Sequence, residues 1–354
     1  MTIDLTGGLS DEREYVFSER PNNPEMRESV NAWVWDDGPE FGMPRIGVEA
    51  VADQWDTHDI QVNISFASGR VLSLFGPGKV HEPRGADGRP RILGAGPLSF
   101  ELIEPYRHWR CHLDGMAMDT SVDAQMGGWQ QGESEAPDVP VELDMDLHSA
   151  VPPWEGGTLR EETRQVMATQ DEGALMGGPR FEQLFRTTGR LRVGDEVHEL
   201  RGGGLRIRRQ GIRRLGTFRG HVWQSSVFPS GQAFGLLVYP PRDDGKPTFN
   251  EGFLFDGDGA LLPARVVEAP WLRKMMAKGQ DVSVVLETER GTTTIQGETV
   301  VSTFHHMGPV GDAKQMGLAG GFQLQQCIAR YTLDGESANG MLERSSPSSQ
   351  VERE

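Results

Sequence analysis

The sequence predicts an all-β chain, built as two sets of antiparallel strands. Three observations carry this. Glycine supplies 45 of 354 residues, well above the ~7% average. These glycines punctuate short alternating runs rather than sitting inside 3.6-residue patterns. Helical patterning is confined to short stretches near Asp11–Phe17, Glu161–Met167 and Pro270–Ala277.

In chain order, 45–51, 60–67 and 71–75 read as strands between turn residues. The runs 99–104 and 107–113 follow, split by Glu104-Pro105, and Asp114-Gly115 marks a turn. The run 141–148 alternates, with Val141, Leu143, Met145 and Leu147 inward and acidic residues or His148 outward. Pro152-Pro153-Trp154-Glu155-Gly156-Gly157 cannot continue a strand, and the polar stretch 158–179 reads as a connector. Strand patterning resumes at 181–191. It recurs at 218–228, 233–239, 249–255, 264–268, 282–287, 292–305, 321–331 and 338–344. The expected division is therefore residues 1–178 and 179–354, with a polar tail from Ser345. Sets of eight to ten strands close into barrels or stack as sandwiches.

Thirty-five Lys and Arg against 52 Asp and Glu give a net charge of −17. Nucleic-acid binding needs a basic face, and a polybasic membrane anchor needs clustered Lys and Arg, so neither partner is expected. No apolar run is long enough for a membrane span, and the acidic N-terminus does not read as a secretory signal. Cytoplasmic residence is the expectation. Cys111 and Cys327 are distant, so neither a disulfide scaffold nor a thiolate metal knuckle is expected. Phosphate-cradling glycine loops, a Gly-x-Ser-x-Gly elbow and His-Glu-x-x-His are all absent. Adjacent His305 and His306 point to opposite faces of a strand. No metal site and no cofactor are expected.

The candidate chemistry lies in strand faces. In Phe249-Asn250-Glu251-Gly252-Phe253-Leu254-Phe255, Glu251 shares a face with Phe249, Phe253 and Phe255. A carboxyl among aromatic rings is desolvated and stays protonated, as alkene protonation, dehydration or isomerisation requires. The other reading turns Glu251 out to water. His221 shares a face with Trp223 and Ser225, and histidine transfers protons near neutral pH; a hydrogen-bonded structural histidine is the alternative. Arg206, Arg208, Arg209, Arg213, Arg214 and Arg219 form a dense cluster, from which Arg213 is the candidate for binding a planar anion, the rest being solvated or answering acidic groups. Gln323 and Gln325 share a face with Cys327, and Gln325 is a candidate binding group. Trp109, Trp33 and Trp35 read as core or cavity wall, Trp109 as a binding candidate. Glu49 is a candidate second buried carboxylate. The Glu343-Arg344 pair reads as closing a barrel through salt bridges.

Several stretches together resemble the tandem lipocalin-like family of carotenoid 1,2-hydratases and AttH-type proteins. They are Glu104-Pro-Tyr-Arg-His-Trp109-Arg110 with Asp114-Gly115; Val141–Leu147 with Pro152-Pro153-Trp154; and Phe181-Glu182-Gln183 with Gly189 and Gly194. Arg208-Arg209-Gln210-Gly211 to Arg213 with His221-Val222-Trp223-Gln224, and Tyr331, Asp334-Gly335 and Gly340–Arg344, complete the set. The resemblance implies two lipocalin-like barrels side by side, a deep apolar cavity, and acid–base chemistry without an organic cofactor.

The expected function is thus a cofactor-independent lyase or isomerase, acting by hydration, elimination or bond migration. Its substrate would be a bulky apolar molecule such as a terpenoid, steroid or aromatic dimer. The alternative is a non-catalytic carrier of hydrophobic small molecules. Glu251 or His221 would move the proton, Arg213 would orient a polar end, and Trp223, Trp109, Phe253, Gln325 and Glu49 would line the site. The site would lie in either barrel or in the cleft between domains. A homodimer is compatible with the sequence.

Overall fold

The computed structural model describes residues 3–38, 40–128, 137–160, 178–213, 215–242 and 248–352. Arg214 and the helix expected near Glu161–Met167 lie outside these residues. The first sheet contains β1 (Met26–Asp36), β2 (Phe41–Val51), β3 (Thr57–Phe66), β4 (Arg70–Lys79) and β5 (Ile92–Ala95). It continues with β6 (Leu98–Glu104), β7 (His108–Ser121), β8 (Asp138–Ser149), β9 (Gly178–Val193) and β10 (Glu196–Ile212). Its order is β4-β3-β2-β1-β10-β9-β8-β7-β6-β5, and β4 also pairs with β7, which curls the sheet back on itself. A closed barrel follows: β11 (His221–Val227), β12 (Ala233–Val238), β13 (Asn250–Phe255), β14 (Leu262–Glu268), β15 (Val284–Thr288), β16 (Gly291–Met307), β17 (Phe322–Leu333) and β18 (Glu336–Pro347).

The all-β expectation holds. The strands do not divide at 178/179, however: β9 and β10 belong to the first sheet, and the chain changes sheet between Ile212 and His221. The reason is register. All of β1 pairs with β10, from Met26–Ile212 to Asp36–Gly202, and so β10 belongs to the first sheet. Around Pro270–Ala277 no helix forms, because the backbone is bonded elsewhere: Met275 N–H donates to Glu352 O, and Glu352 N–H to Arg273 O. Near the N-terminus only a short 3-10 turn, Asp11–Arg13, appears. The described α-helix is Val122–Met126. The tail does not fray at Ser345, since β18 continues to Pro347 with Ser345 and Ser346 buried.

Period-2 alternation sorts most of the buried apolar side chains into three large cores, beside two small clusters around Phe304 and Phe322. Val30, Val48, Val62, Trp109 and Leu143 fill the first sheet. Val222, Phe234, Leu236, Val284 and Tyr331 fill the closed barrel. Between the two lie Trp33, Trp35, Trp154, Trp223, Leu237 and Phe253. The barrel is thus packed by its own side chains, and its outer wall faces the first sheet.

Gly204 explains one close approach. A Cβ there would stand 2.6 Å from the Trp33 carbonyl oxygen and against the Phe185 ring. Gly204→Ala should therefore cost ~1–3 kcal/mol through overpacking, read as a melting temperature lower by several degrees. An unchanged melting temperature would show that the strand pair yields at no cost.

Candidate active site

The outer wall of the barrel carries a transverse row. Glu251, Leu237, Trp223, Glu343 and Gln326 are successive partners across β13, β12, β11, β18 and β17. With strands ~4.8 Å apart, Glu251 and Glu343 stand roughly 14 Å from each other along the wall.

Glu251 is fully buried. Its Oε1 accepts from Trp154 Nε1 at 2.7 Å and from Gly157 N at 2.9 Å. Its Oε2 is buried without a hydrogen-bond partner. Trp154 stands edge-on to Phe253, ring centroids 5.6 Å apart. Burial raises the Glu251 pKa to about 7, against the lowering effect of the Trp154 indole and the Gly157 and Leu159 backbone N–H groups, and the Glu182 carboxylate adds to the rise. Trp154 reaches this place because its backbone pairs with that of Glu182 on β9. The face assigned to Glu251 from the sequence is the observed one, with Phe249, Phe253 and Phe255 in the same buried cluster.

A second carboxylate–indole pair adjoins it. Trp223 Nε1 donates to Glu182 Oε2 at 2.8 Å, and Arg180 Nη2 to Glu182 Oε1 at 2.8 Å. Burial raises the Glu182 pKa against the opposing charge of Arg180 and the Trp223 hydrogen bond. Trp223 meets Trp33 edge-on at 4.6 Å, and Arg180 lies over its ring at 5.4 Å. Tyr239, beyond the end of β12, has a buried hydroxyl without a partner. Burial, chiefly, raises its pKa, with Arg180, Glu182, Arg213 and Arg209 in electrostatic reach.

His221 is buried between Glu343 Oε1, 3.1 Å from Nε2, and Ser345 Oγ, 2.9 Å from Nδ1. Gln326 Nε2 donates to Glu343 at 2.7 Å. Burial opposes ionisation of Glu343, but His221, Arg45 and Gln326 bring its pKa down to about 2. Of the salt bridges expected from Glu343 and Arg344, Glu343 makes those with His221 and Arg45, while Arg344, facing the other way on the strand, bonds Gln325 and the Pro270 carbonyl. Gln325 donates to Ser302 at 3.0 Å among the groups packed inside the closed barrel, away from the Glu251 wall.

Glu49 is surrounded by arginines: Arg27 in a short ion pair, Arg209 at 3.3 Å and Arg213 at 3.9 Å. Burial works against its charge, yet Arg209, Arg213, Arg27 and Arg45 keep its pKa low. Trp109 is elsewhere. Its indole donates to Glu14 at 2.8 Å inside the first sheet, under the Arg206 guanidinium. Arg206, Arg208 and Arg209 are buried rather than solvated, and the first two answer Glu14 and Glu28.

The structure therefore brings together Glu251, Phe253, Trp223, His221, Arg213 and Glu49 between the sheets, and leaves Trp109 and Gln325 outside. Sequence reasoning passed over Trp154, Glu182, Arg180, Tyr239 and Arg45. Tyr239 had a usable signal, two residues from Leu237 on the same face. Trp154 had none, since its partner Glu251 is 97 residues away. A separate cleft of about 190 Å³, lined by Gln232, Leu254, Asp256, Arg290 and Leu333, does not include Glu251. Among the described residues no group of three or more His, Cys, Asp or Glu is placed to hold a metal, and no helix is long and apolar enough to cross a membrane.

This chain belongs to the family described as a domain of unknown function, DUF7064, whose model matches residues 12–348. Its fold is shared with a protein from Nitrosomonas europaea assigned as AttH: TM-score 0.55 at 14% identity, covering 94% of this chain and 99% of that one. Weaker similarity extends to kievitone hydratase from Nectria haematococca (TM-score 0.48, 9% identity, 97% and 95% covered). It also extends to CghA (0.47, 9%, 99% and 97%). No curated protein matches the chain. The AttH-type half of the expected resemblance is thus supported at the level of fold, and the family model carries no carotenoid-hydratase name.

Proposed function

We propose that this protein is a cofactor-independent lyase or isomerase working between its two sheets, with Glu251 as proton donor to a bulky apolar substrate. One observation carries the reading. Glu251 is a carboxyl walled by Trp154 and Phe253, holding its proton to about pH 7, with one oxygen buried and unpartnered. Such a group donates a proton to an alkene or a leaving hydroxyl, and the surrounding aromatic faces stabilise positive charge as it develops.

Native mass spectrometry with organic extraction of purified protein identifies the ligand. A co-purifying apolar molecule that is converted on incubation supports the enzyme; one returned chemically unchanged supports a carrier. With the substrate in hand, kcat/KM should be level from pH 5 to about 7 and fall tenfold per unit above, because only protonated Glu251 donates. A profile level to pH 9 would remove Glu251 as the acid.

A further inference from the structure

We infer that the ligand of this site is an acid, its carboxylate taken up by Arg213 with Arg45 and the Tyr239 hydroxyl around it. This rests on the placement of the site between the sheets.

Two arginines there are only half engaged. Arg213 comes no closer than 3.9 Å to Glu49, and Arg45 no closer than 3.9 Å to Glu343, beyond hydrogen-bonding distance. The Nε of each is buried without a partner. Arg45 otherwise donates one bond, to Asn31 Oδ1 at 3.2 Å, and lies over the Trp33 ring at 5.1 Å. A guanidinium presents Nε–H and Nη–H as a fork that fits a carboxylate, and in both residues half of that fork is unused.

The neighbours point the same way. Tyr239 is 6% exposed with an unpartnered hydroxyl. The Asn31 amide nitrogen and the Trp33 indole nitrogen are also buried donors without acceptors. Every one of these groups can offer a hydrogen, and buried polar groups are rarely left unpaired. Among the described residues, Arg27, Arg45, Arg180, Arg209 and Arg213 stand against Glu49, Glu182 and Glu343. That excess of positive charge, with Arg180 and Arg209 buried and the other three part-buried, stands in a chain of net charge −17. Burial with too little compensation lowers the pKa of Arg213 and takes that of Arg209 to about 9. Arg213 and Arg45 keep 26% and 19% of their side chains exposed, so an anion can reach them.

The test uses a matched pair of probes, 1-pyrenebutanoate and neutral 1-pyrenebutanol, in equilibrium dialysis at pH 7.5. The wild type should hold the acid about 10- to 100-fold tighter, as charge-assisted hydrogen bonds give. Arg213→Gln and Arg45→Gln should each lose most of that preference, and Arg213→Lys should keep part of it. If Arg213→Gln fails to fold, the other two variants carry the comparison. Equal affinity for the two probes, no binding of either, or a preference that survives both Gln substitutions overturns the inference and leaves water on these donors. Glu251→Gln should keep the preference in full. Normal turnover in that variant would overturn the proton donor while leaving the anion site standing.

Discussion

Glu251→Gln should lower kcat by about 10²–10⁴-fold, the usual contribution of general acid catalysis, with KM little changed. The amide keeps the shape of the carboxyl. Its oxygen can accept from Trp154 Nε1 and Gly157 N–H as Glu251 Oε1 does, so the wall against Phe253 stays in place. What disappears is the transferable proton. A second readout separates this from damage to the fold. The Glu251 pKa is raised in the folded state, to about 7, so its contribution to stability is fully present below the unfolded value of ~4.3 and is lost as pH rises through about 7. The wild type should therefore lose stability between pH 5 and 8 relative to Glu251→Gln, which does not titrate. Thermal melts at the two pH values read this directly. Unchanged turnover with the expected change in melting would keep the buried acid but deny it the chemistry, moving the mechanism to His221 or Glu182. A carrier has no turnover to lose, and the variant would bind ligand as the wild type does.

The barrel strands were legible because their alternation is between apolar and polar residues, as in Phe249–Phe255, where period 2 alone placed Glu251 among the rings. β10 was not, because its inward positions include Arg206 and Arg208, which read equally as solvated or as answering acidic groups until Glu14 and Glu28 are seen opposite them. Its glycines, Gly202 to Gly204, sit within the strand, where the Trp35 and Trp33 backbones and the Phe185 ring pass close. The expected division at 178/179 followed the polar connector 158–179, whereas the chain changes sheet between Ile212 and His221. The candidate site divides the same way. Local patterning singled out Glu251, Trp223 and His221, each on a definable strand face, and the arginine cluster singled out Arg213. It could not find their partners, because Trp154, Glu182 and Arg45 come from the other sheet or from the connector, and the period of a strand says which face a residue takes but not what lies across from it. Trp109 failed for the complementary reason: it faces inward, and nothing local tells one sheet's interior from the surface between two sheets.

The second large effect is expected far from Glu251. Arg206→Met should destabilise the protein by ~3–5 kcal/mol, the cost of breaking a buried pair by removing one partner. Arg206 and Glu14 are essentially inaccessible, joined by bonds of 2.6 and 3.2 Å. Trp109 Nε1 gives Glu14 a third, and Arg206 also donates to Gln183 Oε1 at 3.1 Å. Without the guanidinium the Glu14 carboxylate is left inside the first sheet with the indole as its remaining side-chain donor. The melting temperature should fall by roughly 10 °C on the scaling for domains of this size. Adding Glu14→Gln should restore much of the loss, since the uncompensated charge is then gone. A single substitution costing less than ~1 kcal/mol, or a double no better than the single, would mean that the pair is hydrated and structurally idle. The consequence reaches the site through Gln183, whose amide donates to the carbonyls of Leu5, Tyr106 and Val151. Val151 opens the segment that carries Trp154 to Glu251. Arg206→Met should thus weaken proton transfer as well as stability, and Arg206→Met/Glu14→Gln, which restores the charge balance but not the bond to Gln183 Oε1, should recover the melting temperature more fully than kcat.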